Sequence, residues 1–365
     1  MNCFARAPWL LLLAVPLAAQ IPVDLRTWSA ESFPAVSGFS PGNWSVAPDG
    51  STVTQTVNGQ PTLFYSPFVV YNSRVDGRIR VPTGSDDDYI GFAIGFRPGD
   101  TSNPAADWLL IDWKRGTQGY DFGAPSCTPG TTAQRGLALS RVHGIPTADE
   151  LWGHVNLDTA PCSTSTDRVD ELARATNLGS TAWQTATDYD FSFDVRLDGL
   201  DVWVDGNLEI SVRDVFPSGR MAFYNFSQGN VVYSAFSVSC TASTSNYGVG
   251  YPGTHGIPTL TSSMPILGDV ITVHGSNVSG VDTEGVLIYG FGATRTPSGF
   301  GGDILVDAVV FESNHVLASG MDRNLVVPVQ AAFCGRSVFL QFVHFDLGAT
   351  HWIAFSPGLL LVLGT

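Results

Sequence analysis

Residues 188–197 (DYDFSFDVRL) alternate strictly between apolar and polar side chains. Tyr189, Phe191, Phe193, Val195 and Leu197 fall on one side; Asp188, Asp190, Ser192, Asp194 and Arg196 fall on the other. A period of two is the pattern of a half-buried β-strand and is incompatible with an amphipathic helix. Val202 and Val204 then lead into Asp205-Gly206, and Leu208, Ile210 and Val212 lead back. An Asp-Gly pair between alternating runs predicts a hairpin. Residues 89–96 (YIGFAIGF) alternate by size instead. Ile90, Phe92, Ile94 and Phe96 are placed toward a core, and Tyr89, Gly91, Ala93 and Gly95 on the opposite face. Further strands are predicted at 63–70, 74–81, 108–114, 136–142, 220–226 and 231–239. One helix is predicted over 167–176, from the spacing of Val169, Leu172, Ala173 and Thr176. The chain therefore reads as all-β, with two packed sheets.

The 365 residues allow more than one domain. Residues 1–20 read as a secretory signal peptide, with Arg6 before a short apolar run and small residues at a cleavage site. No later segment has the roughly 20 apolar residues of a membrane helix, so membrane insertion is not expected. Residues 21–241 form the first domain. Residues 242–256 are Ser/Thr/Gly-rich and read as a linker. Residues 257–365 hold many short strands and read as a second, smaller β-sandwich.

The charge is lopsided. The chain has 27 Asp but 6 Glu, 17 Arg but a single Lys, Lys114, and a formal net charge of −15. Such a chain repels phosphate backbones, which excludes nucleic acid as a partner. After loss of Cys3 with the signal, Cys127, Cys162, Cys240 and Cys334 remain. Export makes disulfides reasonable, and four cysteines allow three pairings. Cys127 with Cys162 closes the shortest loop, which would leave Cys240 and Cys334 to join the two halves. No zinc-type Cys or His spacing occurs. Catalysis finds little support, because the six Glu are scattered and fall in no paired pattern. No enzyme activity is expected.

Two clusters carry candidate chemistry. Asp86, Asp87 and Asp88 are adjacent carboxylates that repel one another unless solvated or neutralised. From composition alone a solvated acidic turn is the better account, and a divalent cation that neutralises them is the alternative. Asp112, Trp113 and Lys114 place a carboxylate, a ring and the sole ammonium together. They could bind a sugar, but a strand-edge ion pair beside a core Trp is the favoured reading, with Lys114 pairing to Asp112 or a neighbour. Trp108, Trp152, Trp183 and Trp203 are assigned to core packing.

Ordered segments across residues 24–240 resemble the C-terminal, lectin-like domain of thrombospondins. They include Asn43-Trp44, 53–58 (VTQTVN), 86–96 (DDDYIGFAIGF) and 110–118 (LIDWKRGTQ). Leu151-Trp152, Trp183 and above all 219–240 (GRMAFYNFSQGNVVYSAFSVSC) follow in the expected order. The resemblance implies a jelly-roll sandwich of the concanavalin type, bound calcium and a role in extracellular adhesion or matrix binding. It favours Asp86, Asp87 and Asp88 as calcium ligands and adds Asp76 as a weaker one. Residues 247–260 (YGVGYPGTHGIPTL) resemble a short β module found at the C-terminus of many secreted bacterial proteins, with Tyr251 where that module usually has Cys. The expected function is a secreted, calcium-binding adhesion or matrix-type protein with an extracellular protein or glycan ligand. The alternatives are a carbohydrate-binding lectin and, behind it, a polysaccharide hydrolase.

Overall fold

The structure is a computed structural model. It describes residues 20–84, 86–123, 130–157, 167–196 and 198–365. The expected signal peptide, Leu197 and the expected Cys127–Cys162 disulfide fall outside the described residues.

The alternating segments form two antiparallel sheets packed face to face. Asp188–Arg196 lies between Gly199–Val204 and Ser73–Arg80 in an eight-stranded sheet, which continues through Val231–Cys240, Thr52–Gln55 and Trp44–Val46. The facing sheet has seven strands. Tyr89–Phe96 sits near its centre, flanked by Asp107–Lys114 and Gly219–Phe226. Phe191 and Phe193 from the first sheet meet Phe92 from the second at 5.0 and 4.8 Å between ring centres. Phe223 stacks on Tyr233 at 4.4 Å. Burying large rings from both inner faces is what holds a sandwich together.

The seven-stranded sheet is buried on its outer face as well. Leu109, Ile111 and Trp113 point between the sheets, while Trp108 and Leu110 join a second core with Tyr89, Ala93, Val142, Tyr224 and Phe226. A short helix, Ala148–Gly153, covers this outer core with Leu151 and Trp152. Its start is fixed by a reciprocal capping box between Thr147 and Glu150.

Two sequence expectations change here. Residues 167–176 are not a helix: Arg168–Arg174 is the edge strand of the seven-stranded sheet, paired with Gly136–His143. Phe96 does not face the inner core. Gly95 has φ of +86° and an irregularity in the pairing with Gly219–Phe226 follows it, so Phe96 turns into the outer core beside Trp108. A backbone with φ in that range suits only Gly without strain, and the extra residue reverses the side chain that follows.

The second β-sandwich sets a six-stranded sheet, built around Ser337–Phe345 and Thr283–Pro297, against the three strands Leu260–Ser262, Val270–Gly275 and Met321–Val326. The stretch expected to be a linker carries a strand of its own: Ser243–Tyr247 pairs with Gly358–Val362. The two sandwiches are tied where they meet. Cys240 is bonded to Cys334, with Cα atoms 5.6 Å apart, and Thr365 N donates to the Cys240 carbonyl at 2.8 Å. Leu361, Leu363 and Cys334 belong to the same buried cluster as Val238 and Cys240.

Candidate metal turn and the buried charges behind it

Asp86, Asp87 and Asp88 form the turn that enters the strand Tyr89–Phe96. Their carboxylate oxygens lie within 4.8 Å of one another, the only such acidic, His or Cys group of three among the described residues. The three differ in surroundings. Asp88 is buried, while Asp86 and Asp87 are half-buried. Asp86 accepts from Asn58 Nδ2 at 2.5 Å, and Asn58 Oδ1 in turn accepts from Ser227. One oxygen of Asp87 lies directly over Gly116, where a Cβ would collide with it. The Asp87 carbonyl accepts from the backbone N–H groups of Arg115 and Gly116, both at 3.1 Å. The turn is thus built against the segment that follows Lys114.

Lys114 is buried completely. Its ammonium donates to Asp88 Oδ1 at 2.5 Å, to the Asp87 carbonyl at 2.9 Å and to Gln118 Oε1 at 3.1 Å. It also lies 4.6 Å from the centre of the Trp152 ring, a cation–π contact. The sole lysine is therefore committed to the acidic turn and not to Asp112. Burial pushes Asp88 up to about 6, against the Lys114 hydrogen bond that favours its charged form.

Asp112, two residues before Lys114 on the same face of the strand, has a different partner. Its Oδ2 lies 3.0 Å from His154 Nε2. The imidazole continues to Ser140 Oγ at 3.3 Å from Nδ1 and to Glu171 at 3.5 Å, and Glu171 is held by two guanidinium nitrogens of Arg174. Burial disfavours the imidazolium, but the Asp112 carboxylate outweighs it, and His154 is pushed up to about 9. Burial raises Asp112, which His154 opposes. His154 sits at the end of the helix with φ of +51°, stacked on Tyr89 at 5.4 Å. Asp112 Oδ1 and the Tyr224 hydroxyl are buried in this layer without a hydrogen-bond partner among the described residues.

Ser140, His154 and Asp112 share the composition of a nucleophilic triad but not its chemistry. A base must carry a free lone pair to take the serine proton. Near neutral pH this imidazole is protonated and both ring nitrogens donate. Ser140 is moreover buried completely.

The remaining predicted residues lie elsewhere. Asp76 is on the outer face of the eight-stranded sheet, accepting from Arg74 Nε at 3.0 Å and from Ser192 Oγ. It does not join the Asp86–Asp88 group. Trp113 is an inner-core residue that donates to the Thr181 carbonyl and packs on Tyr189 at 4.7 Å, so its ring is not a sugar platform. The Asp112–His154 pair was not visible in the sequence, since its members are 42 residues apart.

The family profile for the thrombospondin C-terminal region matches residues 40–242. The chain belongs to that family. Thrombospondin-3b of Danio rerio is 26% identical over 211 residues, which cover 55% of this chain and 21% of that protein. Thrombospondin-4 of Bos taurus is 24% identical over 209 residues, covering 54% and 20%. The chain thus spans about a fifth of these relatives' lengths. Among solved structures, the carbohydrate-binding module CBM66 from Bacillus subtilis is similar with a TM-score of 0.36 and 10% identity, over 57% of this chain and 93% of that one. That likeness is too loose to speak for function. Membership of the thrombospondin C-terminal family places the chain among secreted, extracellular proteins. No helix among the described residues is long and apolar enough to cross a membrane.

Proposed function

We propose that this chain is a secreted, calcium-stabilised binding protein of the extracellular space, without catalytic activity. Its thrombospondin-type domain, residues 21–241, carries recognition of an extracellular protein or glycan, and residues 257–365 present it. The observation that carries the reading is the Asp86–Asp88 turn. Its donor set is oxygen only, which suits a hard cation. Lys114 pairs closely with Asp88 and, at 3.5 Å, with Asp87, so one positive charge faces three carboxylates, of which Asp86 and Asp87 are half-buried. Asp86 and Asp87 would hold the ion, with Asp88 fixing the turn through Lys114. The cation would relieve the repulsion among the carboxylates and pin the entrance to the central strand of the sheet.

The test uses the full mature chain. Removing calcium with about 1 mM chelator should lower the melting temperature, and calcium but not magnesium should restore it, because magnesium gives up its water reluctantly. Asp86→Asn together with Asp87→Asn should abolish the response. An unchanged melt, with no calcium found by elemental analysis, refutes the reading.

A further inference from the structure

A cleft of about 590 Å³, with several charged and hydroxyl side chains in its lining, opens where the two sandwiches meet. Its walls come from both: Ser73, Arg74, Asp194, Arg196 and Ser239 from the thrombospondin-type domain, and Ser243 from the second. Cys240 is part of the lining, and its bond to Cys334 ties the two sandwiches together beside the cleft. A cleft of this size at a domain junction is where small ligands commonly bind.

Its charged groups form ion pairs with one another that are too long for hydrogen bonds. Asp194 lies between two guanidiniums, 3.6 Å from Arg74 Nη1 and 3.9 Å from Arg196 Nη1, and its carboxylate takes part in no hydrogen bond among the described residues. The guanidiniums are anchored elsewhere. Arg74 donates through Nε to Asp76, and Arg196 through Nη2 to Asp201 at 2.7 Å. Arg74 also lies 5.2 Å from the centre of the Trp203 ring. The Asp194 side chain is 32% exposed, so its lone pairs are open to a ligand in the cleft. Asn72, at the edge of the cleft, has φ of +43°, an uncommon backbone state that persists where the surroundings impose it.

Charge selects among ligands. Arg74, Arg196 and Arg213 stand among Asp76, Asp194, Asp198 and Asp201, so the neighbourhood is net negative in a chain of net charge −15. That disfavours a polyanion. A neutral polyol matches better, because each hydroxyl both donates and accepts. We propose that this cleft binds a neutral sugar residue, with Asp194 accepting from neighbouring hydroxyls and Arg74 and Arg196 donating to them. Val195 and Val362 offer apolar surface to its C–H face. The proposal is independent of the calcium reading, since none of Asp86, Asp87 or Asp88 lines the cleft.

The full mature chain would be screened by saturation-transfer NMR against glucose, galactose, mannose, xylose and cellobiose, with glucuronate and a sulfated galactose as acidic counterparts. At least one neutral sugar should bind, and its affinity should fall at least about tenfold in Asp194→Asn and Asp194→Ala, the loss expected for a charge-assisted hydrogen bond. Asp190→Asn, on the same strand but paired with Arg78 away from the cleft, should bind as wild type does. Binding should survive chelation of calcium. A sugar that binds equally well to an Asp194→Asn protein with wild-type melting overturns the proposal. So does binding of the acidic sugars alone, or of none.

Discussion

The most exposed consequence of the buried charges concerns alkaline pH. His154 is held at about 9 against an ordinary 6.5. Its folded value is the higher one, so the stability it contributes is complete below about pH 6.5 and is lost as pH rises through about 9. A shift of that size corresponds to about 3 kcal/mol, at about 1.4 kcal/mol for each pH unit. The side chain is nearly inaccessible, so solvent does not screen the pair. His154→Gln removes the titration while keeping a polar side chain of similar reach. In urea unfolding the wild type should lose about 3 kcal/mol between about pH 6.5 and 9.5, and the variant should show a much flatter limb. At about pH 6.5 the variant should already be lower by about 3 kcal/mol, because Asp112 then keeps its burial and loses its counter-ion. Tyr89 and Tyr224 are raised above their ordinary value by burial, so they do not titrate in that window. Parallel pH profiles for the two proteins would refute the ion-pair reading of Asp112 and His154.

Two more predictions follow from the same geometry. Lys114→Met should cost about 3–5 kcal/mol in chemical denaturation, because it leaves the buried Asp88 carboxylate without its ammonium, and adding Asp88→Asn should recover part of that loss. Reducing Cys240–Cys334, whose residues are 94 apart in sequence, should destabilise the chain by about 4–5 kcal/mol, read as a lower urea midpoint in reductant than in its absence.

Most of the architecture was legible because sheet periodicity is local. The runs at 189–195 and the Asp205-Gly206 turn lie where alternation puts them. Phe96 went wrong because one glycine with positive φ resets the phase, and alternation cannot foresee a bulge. At 167–176 the apolar spacing suited a helix, but the segment completes a sheet edge: Val169 is buried there and Leu172 is exposed. The true helix was marked by Thr147 and Glu150 three residues apart, a cap signal that six helical residues left easy to overlook. The acidic turn was visible because its three carboxylates are adjacent. The cleft around Asp194 was not, since its walls come from four segments far apart in the sequence, near residues 73, 195, 240 and 362.

The outer core explains why the chain places charge in an interior where burial is costly. The central strands of the seven-stranded sheet need cover on both faces, and the helix Ala148–Gly153 with its flanking loops supplies it. Apolar contacts such as those among Trp152, Phe122 and Phe226 are non-directional and specify the position of the cover less sharply than a paired charge does. Lys114, paired with Asp88 within the sheet, lies 4.6 Å from the Trp152 ring of the cover, and Asp112 reaches His154, the residue on which the helix ends. Each pair breaks even at best in free energy, yet each has one geometry. If they set the register of the cover, replacing Asp112 and His154 together by Leu and Phe should leave the unfolding free energy within about 1 kcal/mol of wild type while broadening the amide resonances of residues 148–157. A double variant with wild-type stability and equally sharp resonances would show that the apolar packing alone already fixes the layer.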